Sequence, residues 1–278
     1  PRDIRLDDLP DPQIIDPTDA VVRVVASCIC GSDLWQYRKE DPITPWQIGH
    51  EFVGVVEQTG PAVEHLKEGD FVIAPFVWSD NTCEMCQEGL HTSCLHGGGW
   101  GSNGVDGGQG EKVRVPQADG TLVKAPVTED SALVPALLAL SDVMGTGHHA
   151  ARAAGVTAGS RVAVIGDGAV GLCAVLAAKR LGAERITIFS RHADRTAIAR
   201  QFGATDVIPE RGKDAVVRAK DETGGLGFHH VIEAVGTAES WKTSLGIARP
   251  GGTVGFVGVP HGASEGIPPW DMFGKNLT

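Results

Sequence analysis

The chain has 278 residues, with 35 acidic and 24 basic side chains, a formal net charge of −11 and 42% apolar residues. That length supports two domains with cores of their own, and the acidic balance argues against nucleic acid or an anionic membrane as the main partner. No run is long and apolar enough to cross a bilayer, no signal peptide is visible, and six cysteines in so large a chain point to metal binding in a reducing compartment rather than to disulfide staples.

The first half reads as β-rich. Strands are expected over residues 20–27, 52–58, 71–74, 112–115 and 122–124, set off by the turn signals Gly60-Pro61, Gly69-Asp70 and Asp119-Gly120. Two irregular stretches lie among them, the cysteine-bearing 79–97 and the glycine-rich 97–110. Many short strands joined by loops predict a barrel-like or sandwich-like β domain. The character changes near Ser141. Strands expected at 161–165, 185–189, 206–208, 230–234 and 253–257 alternate with helices at 169–181, 193–202, 213–222 and 238–248. This alternation predicts βαβ units and a parallel sheet. The expected division is a β domain over 1–140 and an α/β domain over 141–278.

Gly166, Gly168 and Gly171 form a G-x-G-x-x-G pattern that ends a strand and opens a helix at Ala169 and Val170. In that setting the first glycine makes the turn, the second lets a pyrophosphate approach the backbone, and the third lets the helix lie close to the sheet. The free N–H groups of the helix start favour phosphate. At the end of the next strand an NAD site usually carries Asp or Glu for the ribose 2′-OH. This chain has Ser190-Arg191-His192. A hydroxyl, a guanidinium and an imidazole suit a 2′-phosphate, so NADP is expected, with NAD as the alternative.

Two groups of metal-type side chains stand in the first half. Cys30-Gly31-Ser32-Asp33 is followed by Gly49-His50-Glu51, a thiolate and an imidazole each near a carboxylate, with no third ligand nearby in sequence. Cys83, Cys86 and Cys94 need one more donor to close a tetrahedral structural site. Asp80 repeats the three-residue spacing of Cys83 and Cys86 and is the natural fourth, with His91 and His96 as rivals. Cys28 alternates with Cys30 along one strand end and is expected to point into the β core, and Cys173 to pack within its helix. His148 and His149 are expected to open a helix, and His229 and His230 to start a strand.

These motifs together resemble zinc-dependent medium-chain alcohol dehydrogenases, and the likeness covers essentially the whole chain. The run Gly107-Gly108-Gln109-Gly110 leading into 112–116 belongs to it as well. The resemblance implies a GroES-like catalytic domain followed by a Rossmann domain that binds the nucleotide. It implies one catalytic zinc on Cys30, His50 and Asp142, and one structural zinc on Asp80, Cys83, Cys86 and Cys94. Asp142 alternatively caps the helix that follows it. By the same resemblance Glu51 lies near the metal, Asp33 orients His50 and Ser32 contacts the substrate oxygen and passes its proton. The implied reaction is hydride transfer between a small alcohol or carbonyl compound and NADP(H). The site with Asp142 leans towards secondary alcohols, polyols or small aldehydes, with a formaldehyde dismutase-like activity as a variant. A cytoplasmic homo-oligomer is implied for the full-length protein. The competing classes are a zinc-free quinone or enone reductase and a non-catalytic nucleotide-binding relative on the same fold.

The chain departs from the family pattern in several places. Asp80 replaces a cysteine, Trp35 replaces a relay histidine, and Gly31 stands where some members carry an arginine. Relative to the family the chain starts inside the first hairpin at Pro1, and the last Rossmann strand would begin near Leu277, so the Rossmann domain is expected to be incomplete. Such a polypeptide is expected to be poorly soluble or inactive as it stands, because a sheet edge and part of its core lie open. Expression of residues 1–278 followed by solubility and dehydrogenase assays checks this; a soluble, fully active product contradicts it.

Overall fold

The computed structural model describes residues 2–38, 40, 46–101, 104–260, 272 and 274–278. It divides into two compact units, Pro1–Asp142 and Val143–Thr278.

In the first unit the elements run β1 (Ala20–Ser27), α1 (Asp33–Arg38), β2 (Phe52–Thr59), β3 (Phe71–Ala74), β4 (Val77–Trp78), α2 (Glu84–Gln87), β5 (Gly98–Gly99), β6 (Lys112–Val115), α3 (Ala118–Thr121), β7 (Val123–Lys124) and α4 (Val134–Leu138). Five strands pair in the order β6-β1-β2-β3-β7, and β4 and β5 form a separate ribbon. Every pairing in these two sheets is antiparallel. The period of two along each strand sorts the side chains onto two faces. Ala20, Val22, Phe52, Val56, Val72, Ala74, Val113 and Val115 build one core with Trp100, Val105 and Leu122. Val53, Phe71 and Ile73 build the other with Val134, and Leu137 and Leu138 of α4 pack against it. Both faces of the sheet are therefore covered, which fixes its register, since a one-residue slip would exchange the two cores. At Gly54 a Cβ would stand 2.2 Å from the Arg23 carbonyl, so β1 and β2 approach this closely only with glycine there. Their register shifts between Val24 and Ala26, and beyond that irregularity the strand ends bring Cys28 N–H to Glu51 O at 3.1 Å. This is the point from which the candidate metal site is built.

The second unit opens with α5 (Val143–Ala153) and continues β8 (Arg161–Ile165), α6 (Ala169–Arg180), β9 (Arg185–Phe189), α7 (Ala193–Phe202), β10 (Asp206–Ile208), α8 (Gly212–Glu222), β11 (Phe228–Glu233), α9 (Ala238–Ile247) and β12 (Ala248–Phe256). The strands are parallel in the order β10-β9-β8-β11-β12. β8 and β9 are buried almost throughout, as expected of strands in a parallel sheet covered on both faces. The alternation and the parallel sheet expected from sequence are present. The boundaries differ most at the last two strands: β11 starts at Phe228 and β12 at Ala248, and their register breaks between Phe228 and His230, where Pro250-Gly251-Gly252 bulges out of the ladder. His148 and His149 lie within α5 rather than at its start and are exposed.

The chain order reverses direction across the sheet at β8, whose carboxyl end leads into Gly166. Gly166 has φ +111°, a conformation that L side chains rarely adopt. A Cβ on Gly171 would stand 2.1 Å from the Gly166 carbonyl, so α6 can sit this close to the turn only with glycine there. Replacing Gly171 by valine is expected to destabilise the protein by about 1–3 kcal/mol through this clash. Thermal unfolding checks it, and an unchanged Tm would contradict the packing described.

Candidate metal and dinucleotide sites

The first site grows from the paired ends of β1 and β2. Residues 28–30 leave β1 while His50 and Glu51 enter β2, so the antiparallel pairing sets Cys30 beside His50. Asp33 ties the two together. Its Oδ2 accepts the Cys30 N–H at 2.9 Å at the start of α1, and its Oδ1 lies 3.2 Å from His50 Nδ1. The Asp33 side chain is almost wholly buried. The His50 ring is thereby fixed, with Nε2 turned towards Asp142 Oδ2 at 3.7 Å and Glu51 Oε1 at 4.0 Å. Asp142 arrives from far along the chain. The turn after α4 is closed by Ser141 Oγ on Leu138 O at 2.6 Å, and Phe76 N–H just beyond β3 holds Ser141 O at 3.0 Å. Ligand-type atoms of Cys30, His50, Glu51 and Asp142 all lie within 4.8 Å of one another.

The charges of this cluster fit a cation. Burial would lower the His50 pKa, but hydrogen bonds with Asp142, Asp33 and Cys30 outweigh it and raise it to about 12. Burial and the neighbouring Asp142 and Asp33 raise the Glu51 carboxyl against the pull of the Cys28 hydrogen bond and His50. Carboxylates crowded round one imidazole are electrostatically at rest only around positive charge. The donor set, one sulfur, one nitrogen and carboxylate oxygens, is of the kind that binds zinc. Ser32 lies in the turn before α1 and Trp35 within that helix, both half-buried.

Cys28 differs from its expected place. Its Sγ donates to Glu51 Oε2 at 3.1 Å, and burial, followed by this bond, pushes its thiol up to about 12. Residues two apart along a strand share a face, so Cys28 lies on the same side as Cys30, with the site rather than in the β core. Cys173 is buried in α6, as expected.

The second cluster is local. Asp80, Cys83, Cys86 and Cys94 place one ligand atom each within 4.8 Å of the others, and no cysteine is in a disulfide. Two backbone N–H groups point at sulfur, Asp80 N at Cys94 Sγ (3.3 Å) and Leu95 N at Cys83 Sγ (3.5 Å). The Leu95 contact leads the effects that lower the Cys83 thiol, while burial pushes Cys86 up to about 12. Asp80 Oδ1 accepts from the N–H groups of Thr82 and Cys83 at 2.8 and 3.0 Å, and its Oδ2 meets His96 Nδ1 at 2.5 Å. The Cys83 N–H, then His96 and the Thr82 N–H, hold its carboxyl far below the usual range. The two rival donors are engaged elsewhere, His96 on Asp80 and His91 on Asn81 Oδ1 at 2.8 Å.

The third site lies at the carboxyl end of β8. Gly168 caps α6 with extended backbone and no side-chain hydrogen bond, and a Cβ there would meet nothing within 4 Å. A helix N-terminus without a side-chain cap, facing open space, fits a phosphate group. Gly168 and Ala169 are exposed and Val170 is half-buried. Ser190 follows β9, but its hydroxyl is buried and donates to Asp167 Oδ2 at 2.8 Å. His192 Nδ1 and Arg195 Nη1 reach the same carboxylate at 2.7 and 3.1 Å, while Arg191 is exposed. A carboxylate therefore does stand beside Ser190. It comes from the glycine loop and not from the strand end.

Residues 16–127 match the family described as alcohol dehydrogenase GroES-like domain, and residues 169–278 match that described as zinc-binding dehydrogenase. A medium chain reductase/dehydrogenase of Acremonium sp is 35% identical over 274 residues, covering 95% of this chain and 92% of its own length. A zinc-type alcohol dehydrogenase B of Aspergillus flavus is 34% identical over 100% of this chain, which spans 66% of that relative. Among solved structures, the alcohol dehydrogenase of Thermus sp. ATN1 is similar with a TM-score of 0.88 and 34% identity, over 100% of this chain and 80% of that one. A Sinorhizobium meliloti protein described as a zinc-binding dehydrogenase, solved bound to NADP, is similar with a TM-score of 0.81 and 32% identity, over 97% and 78% of the two chains. With a GroES-like β unit, a parallel-sheet unit and relatives of this kind across nearly its whole length, the chain belongs to the zinc-dependent medium-chain alcohol dehydrogenase family of oxidoreductases.

Proposed function

We propose that the protein is a zinc-dependent alcohol dehydrogenase that moves a hydride between a small alcohol or carbonyl substrate and NADP(H). The observation that carries this is the convergence of Cys30, His50, Glu51 and Asp142 around an imidazole whose other nitrogen is held by Asp33. In this proposal Cys30, His50 and Asp142 hold the catalytic zinc and Glu51 stands beside it. Zinc there supplies Lewis-acid polarisation of the substrate oxygen. Asp33 fixes the ring orientation and tautomer of His50. Cys28 occupies Oε2 of Glu51 and leaves Oε1 facing the cluster. Ser32 takes the proton of the substrate hydroxyl and passes it to water, since Trp35 stands in the helix position of the usual relay imidazole and titrates no proton. Asp80, Cys83, Cys86 and Cys94 hold a structural zinc that pins residues 79–97 into one shape. The substrate class is a secondary alcohol, a polyol or a small aldehyde, the leaning that goes with Asp142 in place of a second thiolate.

NADP is favoured by Ser190, Arg191 and His192, which follow β9 with no carboxylate among them, and by the cations Arg191 and Arg195, although Asp194 stands between His192 and Arg195. The relative solved with NADP agrees in kind. Phosphates fit the start of α6, where Gly168 leaves the room that a Cβ would fill.

Elemental analysis of the purified protein should find two zinc ions per chain, falling to one in Cys30→Ser and to one in Cys86→Ser. Zinc in the lobe alone would favour a non-catalytic relative, and no zinc would remove the proposal. Asp33→Asn, which leaves all four converging groups in place, should lower activity or catalytic-site zinc affinity by roughly 10–100-fold; an unchanged enzyme would show that His50 needs no partner. Comparison of kcat/KM with NADPH and NADH tests the cofactor, and a clear NADH preference would overturn it. Gly168→Ala should leave the Tm close to that of the parent while weakening dinucleotide binding, in contrast to Gly171→Val.

A further inference from the structure

The cluster on Asp167 is unexplained by the glycine pattern, which leaves that position free, and by the end of β9. Asp167 sits between Gly166 and Gly168 and is only 6% exposed. Its Oδ2 accepts from Ser190 Oγ and from His192 Nδ1, and its Oδ1 from Arg195 Nη1. Ser190 spends its one proton on Asp167 and so accepts from Thr196 Oγ1 at 2.9 Å. A carboxylate offers about four acceptor positions, and three of those on Asp167 are filled. Burial alone would raise its pKa, but the bonds from His192, Ser190 and Arg195 outweigh burial and lower it. Asp167 is thus an ionised carboxylate answered by its neighbours.

A bare carboxylate at this place would either accept a ribose 2′-OH or repel a 2′-phosphate. Neither description fits a group with three of its acceptor positions taken by a guanidinium, an imidazole and a hydroxyl. Those partners have capacity left. Arg195 and His192 are nearly half exposed, at 47% and 42% of their side chains. A guanidinium carries five N–H donors, of which the contact with Asp167 uses one. With the exposed Arg191 next to them, the rim presents two guanidinium charges and an imidazole against two carboxylates, the buried Asp167 and the exposed Asp194 in the first turn of α7. Long cationic side chains at a surface lose rotamer entropy when they bind, and anchoring them beforehand reduces that loss.

We propose that Asp167 is a positioning residue for the ribose 2′-phosphate: it makes no contact with the phosphate but holds Arg195 and His192 in place to receive it. This rests on the NADP reading above. It adds Arg195 to Arg191 and His192 as phosphate partners and moves Ser190 from direct ligand to support.

The test is calorimetric titration of the zinc-loaded protein with 2′,5′-ADP and with 5′-AMP, which differ only in the 2′-phosphate. The parent should bind 2′,5′-ADP more tightly. Asp167→Asn should weaken 2′,5′-ADP about tenfold, the loss of one charge-assisted anchor, and leave 5′-AMP unchanged, which also shows that the loop still folds. Arg195→Gln should weaken 2′,5′-ADP similarly, and the double variant should lose less than the sum, since the two residues act together. Unchanged or tighter 2′,5′-ADP binding by Asp167→Asn would overturn the proposal, as would additive losses or equal weakening of both nucleotides. A parent that prefers 5′-AMP would instead overturn the NADP reading itself. In that case a loss of 5′-AMP binding in Asp167→Asn would assign the carboxylate to the 2′-hydroxyl.

Discussion

The first unit depends on how β1 and β2 end. The two strands are held at close range by Gly54 and run past a register irregularity before they separate. Without that pairing, Cys30 and His50, twenty residues apart in sequence, would have no reason to meet. The Cys28 N–H to Glu51 O bond is the last rung of this ladder, and Asp33 extends it by one more link, from the Cys30 backbone to the His50 ring. Each contact uses a group that would be costly to bury unpaired. The same bonds that complete the end of the sheet therefore also orient the side chains of the candidate site.

The site contains more acid than base, and that constrains it further. Asp33, Glu51 and Asp142 surround a single imidazole, and the His50 pKa is raised to about 12 despite its burial. Crowding carboxylates in this way costs stability unless positive charge is supplied. A fold that keeps Asp33 and Glu51 buried here, with no basic side chain among the converging groups other than His50, is arranged for a cation. The cysteine cluster differs in kind. Its members are close in sequence, and two backbone N–H groups already point at sulfur, so the loop is shaped around thiolates by its own backbone.

What could be read from sequence divides along the same physical line. Strands of β-branched residues and the Ala-rich helix after the glycine loop announce themselves, because propensity and burial agree there. The β-unit helices α1, α3 and α4, at six, four and five residues, are too short to show a helical period and are seen only in the structure. The convergence of Asp80 with its three cysteines was legible because spacing of three residues is local. The approach of Asp142 to His50 was not legible from spacing; it depends on Phe76 holding Ser141, a contact between distant segments. Cys28 lies with the site rather than in the core because it is two residues from Cys30 and the period of two puts both on one face.

Asp167 is a position on which the sequence patterns are silent. The glycine fingerprint specifies positions where a side chain would be in the way and says nothing of the residues between them. The rule for the following strand specifies one position and nothing around it. Neither rule covers a carboxylate that enters the strand-end site from the loop. Its presence changes the physical picture of the nucleotide end, because a cationic surface becomes one anchored on an internal acid. The same device appears in the first unit, where Asp33 is buried against the ring it orients. In both places a carboxylate fixes a cationic or titratable neighbour by one of its nitrogens and leaves the rest of that neighbour's donors or lone pair to other partners, as with His50 Nε2 turned to the converging acids. The acidic excess of the chain as a whole says nothing of this; it is the few buried carboxylates, each with a named partner, that set the charge a ligand would meet.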